Sequence, residues 1–476
     1  MNSKKKVIIL GAGVAGLAMG YHLARKNKYE VTVLESAPIY GGLSGSFEHE
    51  GFTLDYGAHK MYSVIPGILD ELGELMGERN LKLTKKNRIF LNGHLLDYPL
   101  KMGNFLKVCG LWAFLKLGFG YAWSVVKGIF KKGEPQSYEE YMVRLFGKPA
   151  YQLVFEPLAD KTWGDPKKLH ADMARTRIPA KGGMDIILKL LGIKKETADS
   201  SADFFYYPKK GFGDFPTKLK EEIEAAGGQV LVNTEVYEIN HREKLNFKIK
   251  ARNKDNKKEE MIFECDSLIS SIPLTALNQL LFAQKDPESM KEVQALKFRH
   301  LILVYLFINK PKILEDQWIF FPERKYLFGR IFEQKQMNDE LGPKNQTAIC
   351  CDLTCEEDHW AWTAKDQQLA DKCIENLVEA GFIEKKDVRG HYVKKVRYFY
   401  PCYDLQYVEK MQAFSSRFKS MNNLLLTGRL GMYNYNNSDH CYDMAKFIAQ
   451  QLEEGHPSKD IMTSLEQRVR AYKIVD

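Results

Sequence analysis

Apolar and polar positions change period twice near the start of the chain. Lys5 to Leu10 (KKVIIL) closes on an unbroken aliphatic run, the pattern of a strand buried on both faces. The stretch from about Val14 to Lys26 reads as a helix, and Glu30 to Glu35 (EVTVLE) as a second strand. Two later regions repeat this alternation of strand and helix. Between Tyr206 and Pro273, Gly211 and Gly213 introduce a charged helix ending at Ala226. The turn and strand GGQVLVNTEVYEI follow, and then a β-rich run to CDSLISSIP. The stretch NLLLTGRLGMY leads into a helix after Asp439. Residues 1–75, 206–273 and 416–455 are therefore read as one discontinuous α/β domain with a parallel sheet. The stretches between them, 76–205 and 274–415, are read as two inserts that together build a mixed α+β domain over the first. Residues 456–476 are a C-terminal tail or helix. No internal repeat and no low-complexity linker interrupts this plan.

One stretch departs from ordinary amphipathic patterning. Asn104 to Phe130 is nearly all apolar, NFLKVCGLWAFLKLGFGYAWSVVKGIF, yet Lys107, Lys116 and Lys127 interrupt it. It lacks the ~18 uncharged residues of a spanning helix. Two readings stand: core helices of the second domain, or an interfacial segment whose lysines snorkel toward headgroups at a membrane.

The glycines give the first alternation a chemistry. Gly11, Gly13 and Gly16 form GxGxxG at the end of the first strand. Gly11 allows the tight turn, Gly13 lets a pyrophosphate approach the backbone, and Gly16 lets the helix pack on the strand. The helix start offers unpaired N–H groups and the positive end of its dipole to phosphate oxygens. Glu35, at the end of the second strand, is placed to accept ribose hydroxyls. The alternative, a packing turn with no ligand, does not account for the acid at that spacing.

Composition narrows the class. The 476 residues exceed one ordinary core, so two or three domains are expected. Sixty-nine basic against 61 acidic residues give a net charge of +8, which suits an anionic small molecule or a membrane surface. The lysines are scattered, with no arginine-rich arm and no aromatic–basic repeat, so no nucleic-acid partner is expected. The eight cysteines form no CxxC pair and no His/Cys cluster. No metal site or disulfide framework is expected, and a reducing cytoplasm is the simplest setting. MNSKKK followed by an apolar run imitates a secretory signal, but the glycines sit at strand–turn–helix spacing and no small-residue cleavage site follows.

Gly41, Gly42 and Ser44 follow Glu35 closely, and this second glycine pair resembles the GGxxxS/T segment of the FAD-binding amine oxidase superfamily, which includes protoporphyrinogen oxidase-like proteins. Five more stretches, in the same order along the chain, resemble segments of UDP-galactopyranose mutases and their oxidase-like relatives. They are DYGAHKMYS (Asp55 to Ser63), KTWGDPKKL with Arg177 following, FGRIFEQK (Phe328 to Lys335), YPCYD (Tyr400 to Asp404) and TGRLGMYNYNNSD (Thr427 to Asp439). GGLSGS stands where the mutases carry a GGNAY-like segment, and NNSDH resembles the YNNMDH of the oxidase-like relatives. The resemblance runs from about residue 5 to 450 and implies a Rossmann-like FAD domain of the GR2 type with FAD held non-covalently. The cofactor-binding residues it implies are Gly11, Gly13, Ala15, Gly16, Glu35, Gly42, Leu43, Ser44, Gly428, Arg429 and Asn437, with Arg429 at the FAD pyrophosphate.

The same resemblance assigns the second half of the site. His59 would lie beside the flavin ring, or be a satisfied structural histidine. Arg177, Arg330, Tyr433 and Tyr435 would serve a substrate diphosphate; a guanidinium fork suits phosphate oxygens, and phenols add hydrogen bonds without charge. Trp163 would offer a flat face to a base or sugar, or simply pack. Three functions remain open at this point. The first is a flavoenzyme acting on a nucleotide sugar or other glycosyl diphosphate in glycan synthesis, including redox-neutral mutase chemistry. The second is an FAD oxidase or desaturase of an apolar polyprenyl, carotenoid-type or tetrapyrrole substrate. The third is a noncatalytic flavin-binding protein.

Overall fold

The structure, a computed structural model, describes residues 4–97, 108, 110–112, 115–124, 133–177, 204–241, 247–256, 259–282 and 295–474. Of the apolar stretch 104–130, only residues 108, 110–112 and 115–124 are among these; the rest of that expectation lies outside the described residues.

The first strand, Lys5–Leu10, is the centre of a five-stranded parallel sheet. Its order is Leu424–Leu426, Ser267–Ser270, Lys5–Leu10, Tyr29–Leu34, Gln229–Leu231. Val7 to Leu10 are buried, as their aliphatic run requires when helices cover both faces. The strands come from three separate parts of the chain, and the register between them is continuous: Leu10 pairs with Ser270, which pairs with Leu426. All strands run the same way, so their carboxyl ends share one edge, where ligands of such sheets bind.

The helix Val14–Ala24 returns along this sheet, buried at ten of its eleven residues between the helices Asp214–Ala225 and Ser438–Glu453. It lies this close because Gly16 lacks a side chain: a Cβ there would sit 1.9 Å from the Gly11 carbonyl oxygen. The helix Ser458–Arg470 packs on Ser438–Glu453, with Arg468 clamping the buried Asp443 at 2.7 Å through two nitrogens. The C-terminus then folds back, and the Ile474 N–H donates to Thr176 O at 2.9 Å.

A second, seven-stranded sheet has the order Val388–Pro401, Phe298–Ile308, Thr347–Cys355, Arg330–Glu333, Trp318–Phe320, Asn87–Leu91, His94–Asp97. All its pairs are antiparallel except Trp318–Phe320 with Asn87–Leu91. Strands from both 76–205 and 274–415 thus share one sheet. Phe298–Ile308 (FRHLILVYLFI) is buried at every position, because the helix Asp366–Glu379 and the first domain cover its two faces. A short antiparallel pair, Asn80–Thr84 with Phe204–Pro208, joins two segments at least 120 positions apart in the chain. Among the described residues no helix is long and apolar enough to cross a membrane.

Candidate functional site

The carboxyl edge of the parallel sheet opens into a cleft of about 700 Å³, within the range of small-molecule and cofactor sites. Two helices start at it, Val14–Ala24 after Gly13 and Ser438–Glu453 after Asn437, each presenting the positive end of its dipole. Asn437 caps the second with a reciprocal arrangement. Its side chain accepts the His440 N–H, and His440 Nδ1 accepts the Asn437 N–H at 3.0 Å.

Gly13 shows what the cleft is shaped for. Its backbone is ordinary, with φ −72° and ψ 175°, and an added Cβ would meet nothing nearer than Gly42 Cα at 4.0 Å. The protein's own packing therefore does not demand glycine there. Gly42, on the other side, would bring a Cβ within 3.1 Å of Gly13 Cα. The two bare backbones leave a channel in front of the first helix that any side chain would fill, which is what a pyrophosphate needs. Glu35 stands at the end of the second strand, its carboxylate accepting the Ala12 N–H at 2.9 Å and the Ala37 N–H at 2.8 Å. Each oxygen keeps a second lone pair for a ribose hydroxyl. The residues present fit FAD.

Of the residues expected to hold the cofactor, Gly11, Gly13, Ala15, Glu35, Gly42, Leu43, Ser44, Arg429 and Asn437 line the cleft. Gly16 packs against the first strand's turn. Gly428 packs against Ala15, whose Cβ lies 2.5 Å from where a Gly428 Cβ would be. Both shape the cradle without bordering it.

Further along the wall stand His59, Arg330, Arg429 and Tyr400. Burial, followed by the guanidiniums of Arg330 and Arg429, pushes the His59 imidazole down to about 3, so it is neutral at physiological pH. Its ring stacks on Phe212 at 4.8 Å, and its Nδ1 is buried without a hydrogen-bond partner. Arg330 is half-buried and donates through Nε to Asp352 at 2.6 Å. Arg429 donates to Asn436 O at 2.8 Å and Phe399 O at 3.3 Å, which leaves its plane facing the rings of Tyr400 and Tyr435 at 5.2 and 5.4 Å.

Behind Tyr400 lies a stacked layer. Tyr400 and Tyr435 are parallel at 4.6 Å, and the Arg177 guanidinium lies 4.1 Å from the Tyr435 ring and 4.3 Å from that of Trp163. Trp163 Nε1 donates to the Tyr435 hydroxyl at 3.2 Å. Arg177, Tyr435 and Trp163 are thus brought together but stand one layer from the cleft wall. Tyr433 stands apart from them. Its φ of 48° turns its ring toward the second domain, where its hydroxyl donates to Lys297 O (2.6 Å) and Cys402 O (2.8 Å).

The wall also holds residues that sequence reasoning did not select: Tyr400, Lys60, Trp318, Lys394 and Lys473. Tyr400 and Lys60 lie inside the stretches YPCYD and DYGAHKMYS and were legible there. Lys60 Nζ sits over the Trp318 ring at 5.2 Å, and Lys394 Nζ over Tyr56 at 5.5 Å. Trp318, Lys394 and Lys473 reach the cleft only through the folding of the second sheet and the C-terminal tail, and no local motif marks them.

Residues 14–436 match the family described as flavin containing amine oxidoreductase. The probable UDP-galactopyranose mutase of Klebsiella pneumoniae is 24% identical over 196 residues, 38% of this chain and 47% of that protein. The 1-hydroxycarotenoid 3,4-desaturase of Flavobacterium sp. (strain P99-3) is 31% identical over 107 residues, 21% of each chain. The chain thus spans about half the length of the first relative and about a fifth of the second. A crystal structure of reduced UDP-galactopyranose mutase superposes with a TM-score of 0.82, covering 100% of this chain and 99% of that one at 16% identity. At that identity the likeness shows the fold alone.

Proposed function

Because this chain belongs to the flavin-containing amine oxidoreductase family and is an FAD-dependent enzyme of the oxidoreductase superfamily, we propose that its substrate is a nucleotide sugar or another glycosyl diphosphate. The observation that carries this reading is the cluster of Arg330, Arg429, Tyr400 and neutral His59 on one part of the cleft wall. Two guanidiniums and a phenol in a partly dry cleft suit the oxygens of a diphosphate. An apolar substrate would make no use of their positive charge.

When bound, FAD supplies the electron-rich or electron-poor ring at which the chemistry takes place. The protein's part is to bind and orient. Gly13, Gly42 and the two helix starts receive the cofactor's pyrophosphate, and Glu35 its ribose. Arg330, oriented by Asp352, would bring its positive charge to substrate oxygens. Arg429, fixed by the carbonyls of Asn436 and Phe399, would neutralise phosphate charge in the cleft. His59 contributes hydrogen-bonding capacity without a further positive charge, and its unpartnered Nδ1 is free to hold a proton or accept one. The Trp163–Arg177–Tyr435 layer keeps the Tyr400 ring in one position, so little rotamer entropy would be lost there on binding.

Calorimetry with UDP, GDP and TDP on reduced, FAD-loaded protein tests the proposal. At least one should bind. Arg330→Lys, which keeps a cation for Asp352 but loses the fork, should weaken that binding about 10- to 100-fold, the equivalent of one charge-assisted hydrogen bond. Arg177→Ala should act indirectly and by less, because it loosens the Tyr435 stack. No binding by any of the three to the parent protein would sink the reading in favour of an FAD oxidase or desaturase of an apolar substrate, the chemistry named for the Flavobacterium relative.

A further inference from the structure

The described part of the apolar stretch carries a row of large side chains in water. Leu111 is 62% exposed, Trp112 86%, Leu115 51% and Phe119 75%, with Trp123 at 56%. Residues 115–124 are helical, as are 110–112. Within 115–124, Leu115, Phe119 and Trp123 recur at every fourth position and so, at about 100° per residue, share one helix face. The opposite sector holds Leu117, Gly120, Tyr121 and Ser124, and it is firmly seated. Leu117 packs on the cluster Ile89, Leu91 and Leu96, and Ser124 donates to Val143 O at 2.6 Å. Gly120 lies against Pro149 so closely that a Cβ would come within 2.4 Å of Pro149 Cδ. The inner face fixes the orientation, so the outer row is held in the solvent by the fold and does not collapse onto it. Isolated exposed apolar residues are common on proteins; Leu111, Trp112, Leu115 and Phe119, all more than half exposed within nine residues of sequence, call for a covering surface.

The charge around the row identifies the partner. From residue 98 to 133 the sequence contains six lysines, Lys101, Lys107, Lys116, Lys127, Lys131 and Lys132, and no aspartate, glutamate or arginine. A net +6 in the sequence that carries these aromatic residues complements an anionic bilayer surface, where indole and phenyl groups enter the headgroup boundary and ammonium groups meet phosphates. A second protein copy would bring the same positive charge and repel it. Lys107, Lys116 and Lys127 leave no uncharged run of the ~18 residues needed to span, so an interfacial contact suits the stretch. We propose that the face formed by Leu111, Trp112, Leu115 and Phe119 docks this enzyme on the surface of an anionic phospholipid bilayer.

Co-sedimentation of the FAD-loaded protein with vesicles tests this, using phosphatidylcholine alone and an equal mixture of phosphatidylcholine and phosphatidylglycerol. Binding is expected to the mixed vesicles, with a blue shift of tryptophan emission, and to weaken as salt is raised. The variant Trp112→Glu/Phe119→Glu should bind at least about tenfold less, since it exchanges buried apolar area for like charge at an anionic surface. Lys116→Glu, which leaves the aromatic row intact, should lower binding to the mixed vesicles by severalfold. Retained flavin absorbance and circular dichroism show that each variant is folded. The proposal is overturned if the parent sediments with neither vesicle, if it binds both vesicle types equally, or if the double variant binds as well as the parent. It is also overturned if the row proves to hold a dimer that dissociates in the double variant while vesicles are ignored.

Discussion

Replacing Gly13 by valine separates the cofactor's demands from those of the fold. The substituted residue keeps an allowed backbone, φ −72°, and its Cβ meets only Gly42 Cα at 4.0 Å. A β-branched residue is a poorer helix cap than glycine, by about 0.5–1.5 kcal/mol. It also restricts the unfolded chain, which returns about 0.4–1 kcal/mol. The FAD-free protein should therefore stay within about 1 kcal/mol of the parent. The γ-methyl groups, however, extend into the channel between Gly13 and Gly42. FAD should lose at least one charge-assisted N–H contact, about 1.5–3 kcal/mol, and part of the helix-dipole attraction, about 0.3–1 kcal/mol. The sum is roughly 2–4 kcal/mol, or about a 30- to 1,000-fold rise in the FAD dissociation constant. Titrating FAD-free protein into FAD and following flavin fluorescence gives the affinity; urea unfolding gives the stability. Gly16→Ala supplies the contrast. Its Cβ would lie 1.9 Å from Gly11 O and 3.0 Å from Ser271 Oγ, so the helix must move and stability should fall by about 1–3 kcal/mol. If Gly13→Val keeps parental affinity in a folded protein, the pyrophosphate does not lie in that channel. If its stability falls as far as that of Gly16→Ala, the glycine is there for packing.

Two further perturbations test the surroundings of the site. His59 and His22 are both held down to about 3 from 6.5, mainly by burial, so the unfolded chain binds their protons first and stability is lost as pH falls from 6.5 toward 3. Each adds about 1.4 kcal/mol per pH unit to the slope of stability within that window. His59→Gln should remove one such increment between pH 6.5 and 5; urea midpoints at fixed FAD measure it, and an unchanged slope would mean His59 is charged or exposed in the folded protein. Lys161 Nζ donates to the carbonyls of Phe321 (2.8 Å), Glu323 (2.6 Å) and Phe328 (2.9 Å), joining the helix of Trp163 to the loop before Arg330. Lys161→Met should cost about 1–3 kcal/mol by leaving those carbonyls without a donor; a loss below about 0.5 kcal/mol in urea unfolding would show that water replaces it.

The cradle was legible in the sequence because its physics is local. Gly11, Gly13 and Gly16 act within one strand–turn–helix unit, and Glu35 closes the next strand of the same unit, so spacing along the chain is spacing in space. The first strand was expected at Lys5 to Leu10 and lies there, and the helix expected over Val14 to Lys26 ends at Ala24, within the fraying of any helix end. The other half of the site is a matter of tertiary structure. Arg330 and Tyr400 lie on separate strands of a sheet whose order departs from chain order, and Trp318 enters it through a parallel pairing with residues more than 200 positions earlier. Motif spacing could name Arg177, Tyr433 and Tyr435 but could not say which layer each would occupy. That was decided by Tyr400 stacking in front of Tyr435, by the two rings that hold Arg177, and by the two carbonyls that hold the Tyr433 hydroxyl. Likewise the sequence showed an apolar stretch with lysines, and left it between core and interface. The packing of Gly120 against Pro149 decided the described part, because it consumes one face of the helix and leaves the aromatic face in water. Local patterning sets which atoms a segment can offer; which of them reach solvent, cofactor or core depends on which other segments arrive first at each face.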